Sequence, residues 1–383
     1  MEGAFYAHEA RSLYSKSFYQ QTAAGFAGRP NREEELVHIY DLDTPALVIN
    51  LDVLERNLRN MAKHCADLGI ALRGHTKSHK TPEIAKMQLA SGAQGIVCQK
   101  LGDAEVMARA GIDDILVTYN VVGKPKLRRL TELSRWARMR VTVDSEDVAV
   151  GISEQAQEDG ANIEVLVELD TGGQRTGVQS PQAALELGKR IMDLPGLTLK
   201  GLMTYPSHLR AKPFIQEAVA LFQSVGLPCP VISGGGTGGE AISKEIGCTE
   251  TRSGSYVYEG MTRVSQCRDL NPERCAVRVI VTVVSVPTAN RVIVDGGMKT
   301  FVAFPPNPYG AIIEYPEAKM YGMSVEHGHI DVSQCSHRFR VGEKLSVIPN
   351  HAESVTNMHE VMIGMRNDEV EEVWQIRGRG KVQ

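Results

Sequence analysis

The chain has 383 residues, 42% of them hydrophobic and 23% charged, with a formal net charge of −4 at pH 7. This is the composition of an ordinary globular protein with room for one barrel-sized domain and a smaller one. It excludes sequence-independent binding to nucleic acid, which needs clustered Lys and Arg to displace counterions; the nearest cluster, "KPKLRRL" at 124–130, reads as the solvated face of a helix.

The N-terminal stretch "MEGAFYAHEARSLYSKSF" mixes charged and apolar residues and has no apolar core of the signal-peptide kind. No apolar run approaches the roughly 20 residues that span a bilayer, so no membrane partner is expected and the cytoplasm is the default location. The seven cysteines contain no CxxC and read as reduced thiols, with Cys98 and Cys248 as buried filler.

From about residue 44 to 262 short β-branched runs alternate with amphipathic stretches. The runs are 70–77, 95–100, 114–120, 139–145, 164–170, 199–205, 229–236 and 250–257. Eight such units predict a parallel (β/α)8 TIM-type barrel. An open doubly wound sheet is the alternative, but a Gly-rich turn at the first strand–helix junction is lacking. After residue 263 runs such as "AVRVIVTVVSVP" and "KLSVIPNH" predict a C-terminal mostly-β domain over 263–383. Residues 1–43 show no clear period and are expected to pack on that domain.

Four motifs carry chemistry. The first is "RGHTKSHKTPEI" at 73–84, with Thr81 expected as a helix N-cap and Pro82 as the first helical residue. Read as a strand over 70–79, it puts Arg73, His75, Lys77 and His79 on one face at the barrel's catalytic end. A solvated basic edge, an anion-facing strip and a nucleophilic lysine all fit such a face. The second is "SGGGTGG" at 233–239, whose glycines leave N–H groups open to a phosphate and whose Thr237 adds a hydroxyl. The third, "ELDTGGQRTGV" at 168–178, is a polar loop bearing Arg175. The fourth, "IPNHAES" at 348–354, places His351 and Glu353 two apart, a spacing that can chelate one metal ion; His327 and His329 in "EHGHIDV" are a rival pair.

Together these motifs resemble the fold-type III pyridoxal-phosphate enzymes, the alanine racemase group, and within it the D-threonine aldolase / D-serine dehydratase family. "DLDTPALVINLDVLERNLRNM", "RGHTKSHKTPEIAKMQLASGAQGIVCQKLGDAEVM", "DDILVTYNVVG", "ELDTGGQRTGV", "SGGGTGG" and "PNHAES" match that family's pattern in order, from about residue 41 to the C-terminus. The resemblance implies pyridoxal 5'-phosphate held covalently by Lys77, with Lys80 a bystander. It implies Arg175 near the cofactor's phenolic oxygen and Tyr205 against its ring. Phosphate contacts fall on Gly235, Gly236, Thr237, Gly254, Ser255 and Tyr256, and Arg252 faces the pyridine nitrogen. There an arginine, which does not give up its proton, keeps the ring nitrogen unprotonated, as alanine racemases do.

The family's metal pair falls on His351 and Glu353, where the carboxylate favours Mn2+ or Mg2+ over Zn2+. The implied activity is metal-assisted retro-aldol cleavage of a D-3-hydroxy amino acid to glycine and an aldehyde, with His79 as the expected base. A dehydratase acting on D-serine or 3-hydroxy-D-aspartate is the alternative, a racemase comes third, and a non-catalytic cofactor carrier is disfavoured by the β domain. A homodimer is also implied.

Overall fold

The structure is a computed structural model and describes residues 37–383. The chain folds into two compact units.

The larger unit comprises Val53–Ala276, His351–Glu360 and Ile376–Gln383. Its centre is a closed barrel of eight parallel strands: β2 Ala71–His75, β3 Gly95–Cys98, β4 Asp114–Val117, β5 Arg138–Val143, β6 Ile163–Leu169, β7 Leu197–Thr204, β8 Val231–Gly234 and β9 Glu250–Thr251. All eight expected runs supply a barrel strand. Short connections join each strand to a helix, and local chemistry sets the helix ends. Before the helix Pro181–Met192, Ser180 Oγ accepts from the Ala183 N–H at 3.1 Å and Pro181 occupies the first turn. The helix Glu146–Asp159 stops at Gly160, whose φ of 63° is the left-handed conformation that glycine adopts without a Cβ clash. Inside the barrel Val97, Leu116, Leu166 and Met203 form an apolar layer contributed by four different strands.

The smaller unit comprises the described residues up to Asp52, Val277–Asn350 and Val361–Gln375. A nine-stranded sheet runs through it. Its path is β13 Lys319–Met323, β14 Gly328–Asp331, β11 Arg291–Val294, β10 Val277–Thr288, β1 Ala46–Asn50, β16 Val361–Arg366 and β17 Glu369–Gln375; β15 Lys344–Ile348 pairs with β10 and with β12 Ala311–Ile312. Ile39, Leu42, Ala46, Val48, Ile280, Ile363 and Met365 form one of its cores.

Two expected boundaries shift. The barrel does not begin at residue 44: β1 pairs antiparallel with β10 and parallel with β16, so "ALVIN" belongs to the sheet. The run is buried nearly throughout, so its pattern does not tell one buried sheet from another. At the other end 263–383 is not all β domain, since residues 351–360 and 376–383 return to the barrel unit. Of the expected 1–43 segment, residues 1–36 lie outside the described residues; Ile39 N–H donates to Asp368 O at 2.9 Å, within the smaller unit.

Candidate active site

The first barrel strand ends sooner than the sequence pattern implies. After His75 the chain enters a 3-10 turn, Thr76–Ser78, with His75 as its N-cap; the Lys77 N–H reaches His75 Nδ1 at 3.4 Å. Strand alternation stops there, so the expected shared face of Arg73, His75, Lys77 and His79 does not exist. Each goes to a different environment. Arg73 is buried in the barrel, paired with Asp114 at 2.6 Å and Glu250 at 3.0 Å. His75 is buried and held well below its ordinary value of 6.5, chiefly by burial and then by the Lys77 and Arg252 charges.

His79 has no exposed surface, and both ring nitrogens are engaged. Nδ1 lies 3.2 Å from the Thr81 N–H, and Nε2 lies 3.1 Å from Gln88 Oε1. Burial brings it down to about 4. A ring so enclosed is not open to a substrate proton, which corrects the base role expected of it. Thr81 is the N-cap as expected, but its hydroxyl donates back to His79 O at 2.7 Å and does not cap the helix. Lys80, with φ of 53°, turns inward and donates to Asp103 at 3.0 Å and to Gly378 O at 3.1 Å. Lys77 is half-buried, and its Nζ makes no hydrogen bond or ion pair among the described residues.

The glycine turn follows β8, the seventh barrel strand, as expected. Gly235 and Gly236 have φ of 147° and 112°. A Cβ on Gly235 would stand 2.6 Å from the Arg252 nitrogen, and one on Gly236 3.3 Å from Tyr205 Cε2, so the cradle is shaped by the lack of side chains. The Gly235 N–H is taken by Ser207 Oγ at 2.8 Å, and those of Gly254 and Tyr256 by Thr237 Oγ1 at 3.0 and 3.4 Å. The N–H groups of Gly236, Thr237 and Ser255 donate to nothing among the described residues. Three unspent donors around a glycine turn suit a phosphate.

Arg175 and Tyr205, from the loops after β6 and β7, meet above this turn with the guanidinium 4.9 Å from the ring centroid. Arg252 is buried, donating to Ser233 Oγ and Thr204 O at 2.8 Å each, and burial lowers its affinity for its proton. An aldehyde cofactor with a phosphate tail therefore finds an unpaired amine, a backbone cradle and a flat aromatic ring, and the residues present fit pyridoxal phosphate.

His351 caps the short helix Ala352–Thr356, its Nδ1 held by the Ser354 N–H at 3.2 Å and Ser354 Oγ at 2.8 Å. Its Nε2 lies 3.8 Å from Glu353 Oε2, so one ion with bonds of about 2.1 Å can reach both. The pair lies in the barrel unit, and Glu353 Oε1 accepts from Ser78 Oγ, next to Lys77, at 2.9 Å. No cluster of three or more His, Cys, Asp and Glu suited to a metal occurs among the described residues, so neither this pair nor His327 and His329 belongs to one.

Sequence reasoning overlooked the hydroxyls. Ser255, expected at a phosphate, points its Oγ at Glu353 at 2.5 Å, and Ser207 holds the glycine turn. It also overlooked His208 after β7, whose Nδ1 is buried without a hydrogen bond and whose Nε2 lies 3.5 Å from where a Cβ on Gly172 would stand. None of these sits in a chemically suggestive spacing; only the closed barrel brings them together.

Comparison with known proteins places most of the chain in one family. Residues 49–261 match the alanine racemase N-terminal domain, and residues 276–365 match a serine dehydratase domain. A D-threonine aldolase of an Arthrobacter species is 35% identical over 355 residues, 88% of this chain and 93% of the relative. A D-threo-3-hydroxyaspartate dehydratase of Delftia sp. (strain HT23) is 31% identical over 81% of this chain and 91% of its own length. The crystal structure of D-threonine aldolase from Filomicrobium marinum superposes with a TM-score of 0.85 at 33% identity, covering 92% of this chain and all of the other.

Proposed function

We infer the activity from descent: the chain belongs to the alanine racemase-like family of pyridoxal-phosphate enzymes that includes D-threonine aldolases and D-serine dehydratases. It is a lyase of D-3-hydroxy amino acids, and retro-aldol cleavage to glycine and an aldehyde is the reaction we assign. The observation that carries the reading is the hydrogen bond from Ser78 Oγ to Glu353 Oε1 at 2.9 Å, which ties a candidate metal ligand to the turn that carries the unpaired Lys77.

When bound, pyridoxal phosphate would hold the substrate's amine and draw off the electrons of the bond broken at Cα. Lys77 would supply the amine that holds the cofactor. Gly236, Thr237 and Ser255 would offer three N–H groups to the phosphate, and Tyr205 and Arg175 would hold the ring. Arg252, held by Ser233 and Thr204, would keep a fixed cation beside the cofactor. His351 and Glu353 would hold a divalent metal, Mn2+ or Mg2+ by their N and O donors, which would supply a positive charge to favour loss of the 3-hydroxyl proton. The enclosed His79 positions Gln88, whose amide donates to the Tyr256 hydroxyl at 3.0 Å.

A dehydratase at the same site is the second reading, supported by the Delftia relative. The wider reading includes a homodimer in the cytoplasm. All seven cysteines are free thiols, and no described helix is long and apolar enough to cross a membrane. Incubating the holoenzyme with D-threonine and D-serine tests the assignment: acetaldehyde and glycine from D-threonine are expected, whereas ammonia without either product from D-3-hydroxy acids contradicts it.

A further inference from the structure

Glu353 makes an unusual use of its carboxylate. One oxygen, Oε1, accepts two hydroxyl hydrogen bonds, from Ser78 Oγ at 2.9 Å and from Ser255 Oγ at 2.5 Å. The donors come from distant parts of the sequence. Ser78 is buried and closes the turn Thr76–Ser78 that carries Lys77. Ser255 opens the turn Ser255–Val257, where its own N–H and the neighbouring Gly254 line the phosphate cradle. A glutamate side chain has three rotatable bonds, and holding it in one pose costs entropy. With Oε1 pinned from two sides, Oε2 is the oxygen turned toward His351 Nε2 at 3.8 Å. His351 is pinned in its turn by Ser354.

We propose that Ser78 and Ser255 are positioning residues that clamp Glu353, so that divalent-metal binding and pyridoxal-phosphate binding reinforce each other. The proposal rests on the reading of His351 and Glu353 as metal ligands. The physical basis is shared ordering. A metal that fixes Glu353 also fixes, through two charge-assisted hydrogen bonds, the turn presenting the Lys77 amine and the turn presenting the Ser255 N–H. A cofactor anchored on those turns fixes the same carboxylate for the metal. Linkage requires the two effects to be equal in size.

The test measures two affinities on the full chain stripped of cofactor and metal. Pyridoxal phosphate is titrated by absorbance with and without Mn2+, and Mn2+ by calorimetry with and without the cofactor. In the unaltered protein each ligand is expected to tighten the other about tenfold. In Ser255→Ala, Mn2+ affinity is expected to fall about tenfold and the mutual tightening to shrink toward none. Ser78→Ala/Ser255→Ala is expected to remove it. Ser255→Thr, which keeps the hydroxyl at a half-buried position, restores it; simple loss of packing would not follow that pattern. The Ser255 pair suffices should the double variant not fold. Tightening that persists unchanged in Ser255→Ala, or that is absent from the unaltered protein while Mn2+ binds in a His351-dependent manner, overturns the clamp alone. Equal Mn2+ affinity in His351→Ala and the unaltered protein overturns the metal reading and the clamp with it.

Discussion

Within eight residues of one motif, two cations are consumed by the protein and one is not. Arg73, inside the barrel, spends its guanidinium on Asp114 and Glu250; Lys80 spends its ammonium on Asp103 and the Gly378 carbonyl. Arg140 pairs likewise with Glu164 in the barrel, and the exposed Arg138 adds a second partner to Asp114. At the ends of the strands the pattern reverses. Lys77 and the N–H groups of Gly236, Thr237 and Ser255 have no partners among the described residues. Buried charge that is fully paired is held in place, because losing one partner strands the other, whereas polar groups left unspent at a barrel mouth are what a ligand can claim. A cationic motif is thus partitioned into structure and chemistry by what each side chain meets.

The largest expected effect falls on the unpaired side. Lys77→Ala should lower turnover by about 10^3-fold or more while shifting stability by less than about 0.5 kcal/mol, since a half-buried side chain with no partner is removed. Steady-state kinetics beside urea unfolding checks both halves, and a comparable loss of stability would erase the distinction. On the paired side, Arg73→Ala should cost about 3–5 kcal/mol of stability, because Glu250 and Asp114 stay buried with a partner gone. Burial pushes the Glu250 carboxyl up, yet Arg73 and Ser233 hold it below its usual range, so that cost should be visible in urea unfolding at neutral pH. Full stability with lost activity would instead place Arg73 in the chemistry.

A smaller effect sharpens the account of the two enclosed histidines. His75 lies well below 6.5 and His79 near 4, in both cases first through burial. Between those values the unfolded chain binds more protons than the folded one, so stability rises with pH there. It is fully present above 6.5 and is lost as pH falls toward 4, with a slope of up to about 1.4 kcal/mol per pH unit for each histidine. Urea unfolding across this range should show that slope, and His79→Gln should reduce it. A flat profile would mean that these rings are open to water.

The fold was legible because eight β-branched runs at barrel spacing leave few other architectures, and the glycine turn was legible because its place after the seventh strand suits a phosphate. Lys77, Tyr205, Arg252 and the His351–Glu353 pair come from family resemblance, not from spacing, and remain proposals. Strand alternation misled at His75, where a histidine cap starts a 3-10 turn and every following side chain changes direction. It could not show that Arg73 has carboxylates 41 and 177 residues away in sequence. Nor could it place "ALVIN", since pairing with β10 and β16 depends on chain paths that no local pattern encodes. The serines holding Glu353 were hidden for the same reason.

The division between spent and unspent cations is tested most directly by borohydride treatment of the cofactor-loaded protein, followed by digestion and mass spectrometry of the phosphopyridoxyl-bearing peptide. The label is predicted on Lys77 alone, with Lys80 unmodified beside it. Label on Lys80, or none on Lys77, would contradict the account.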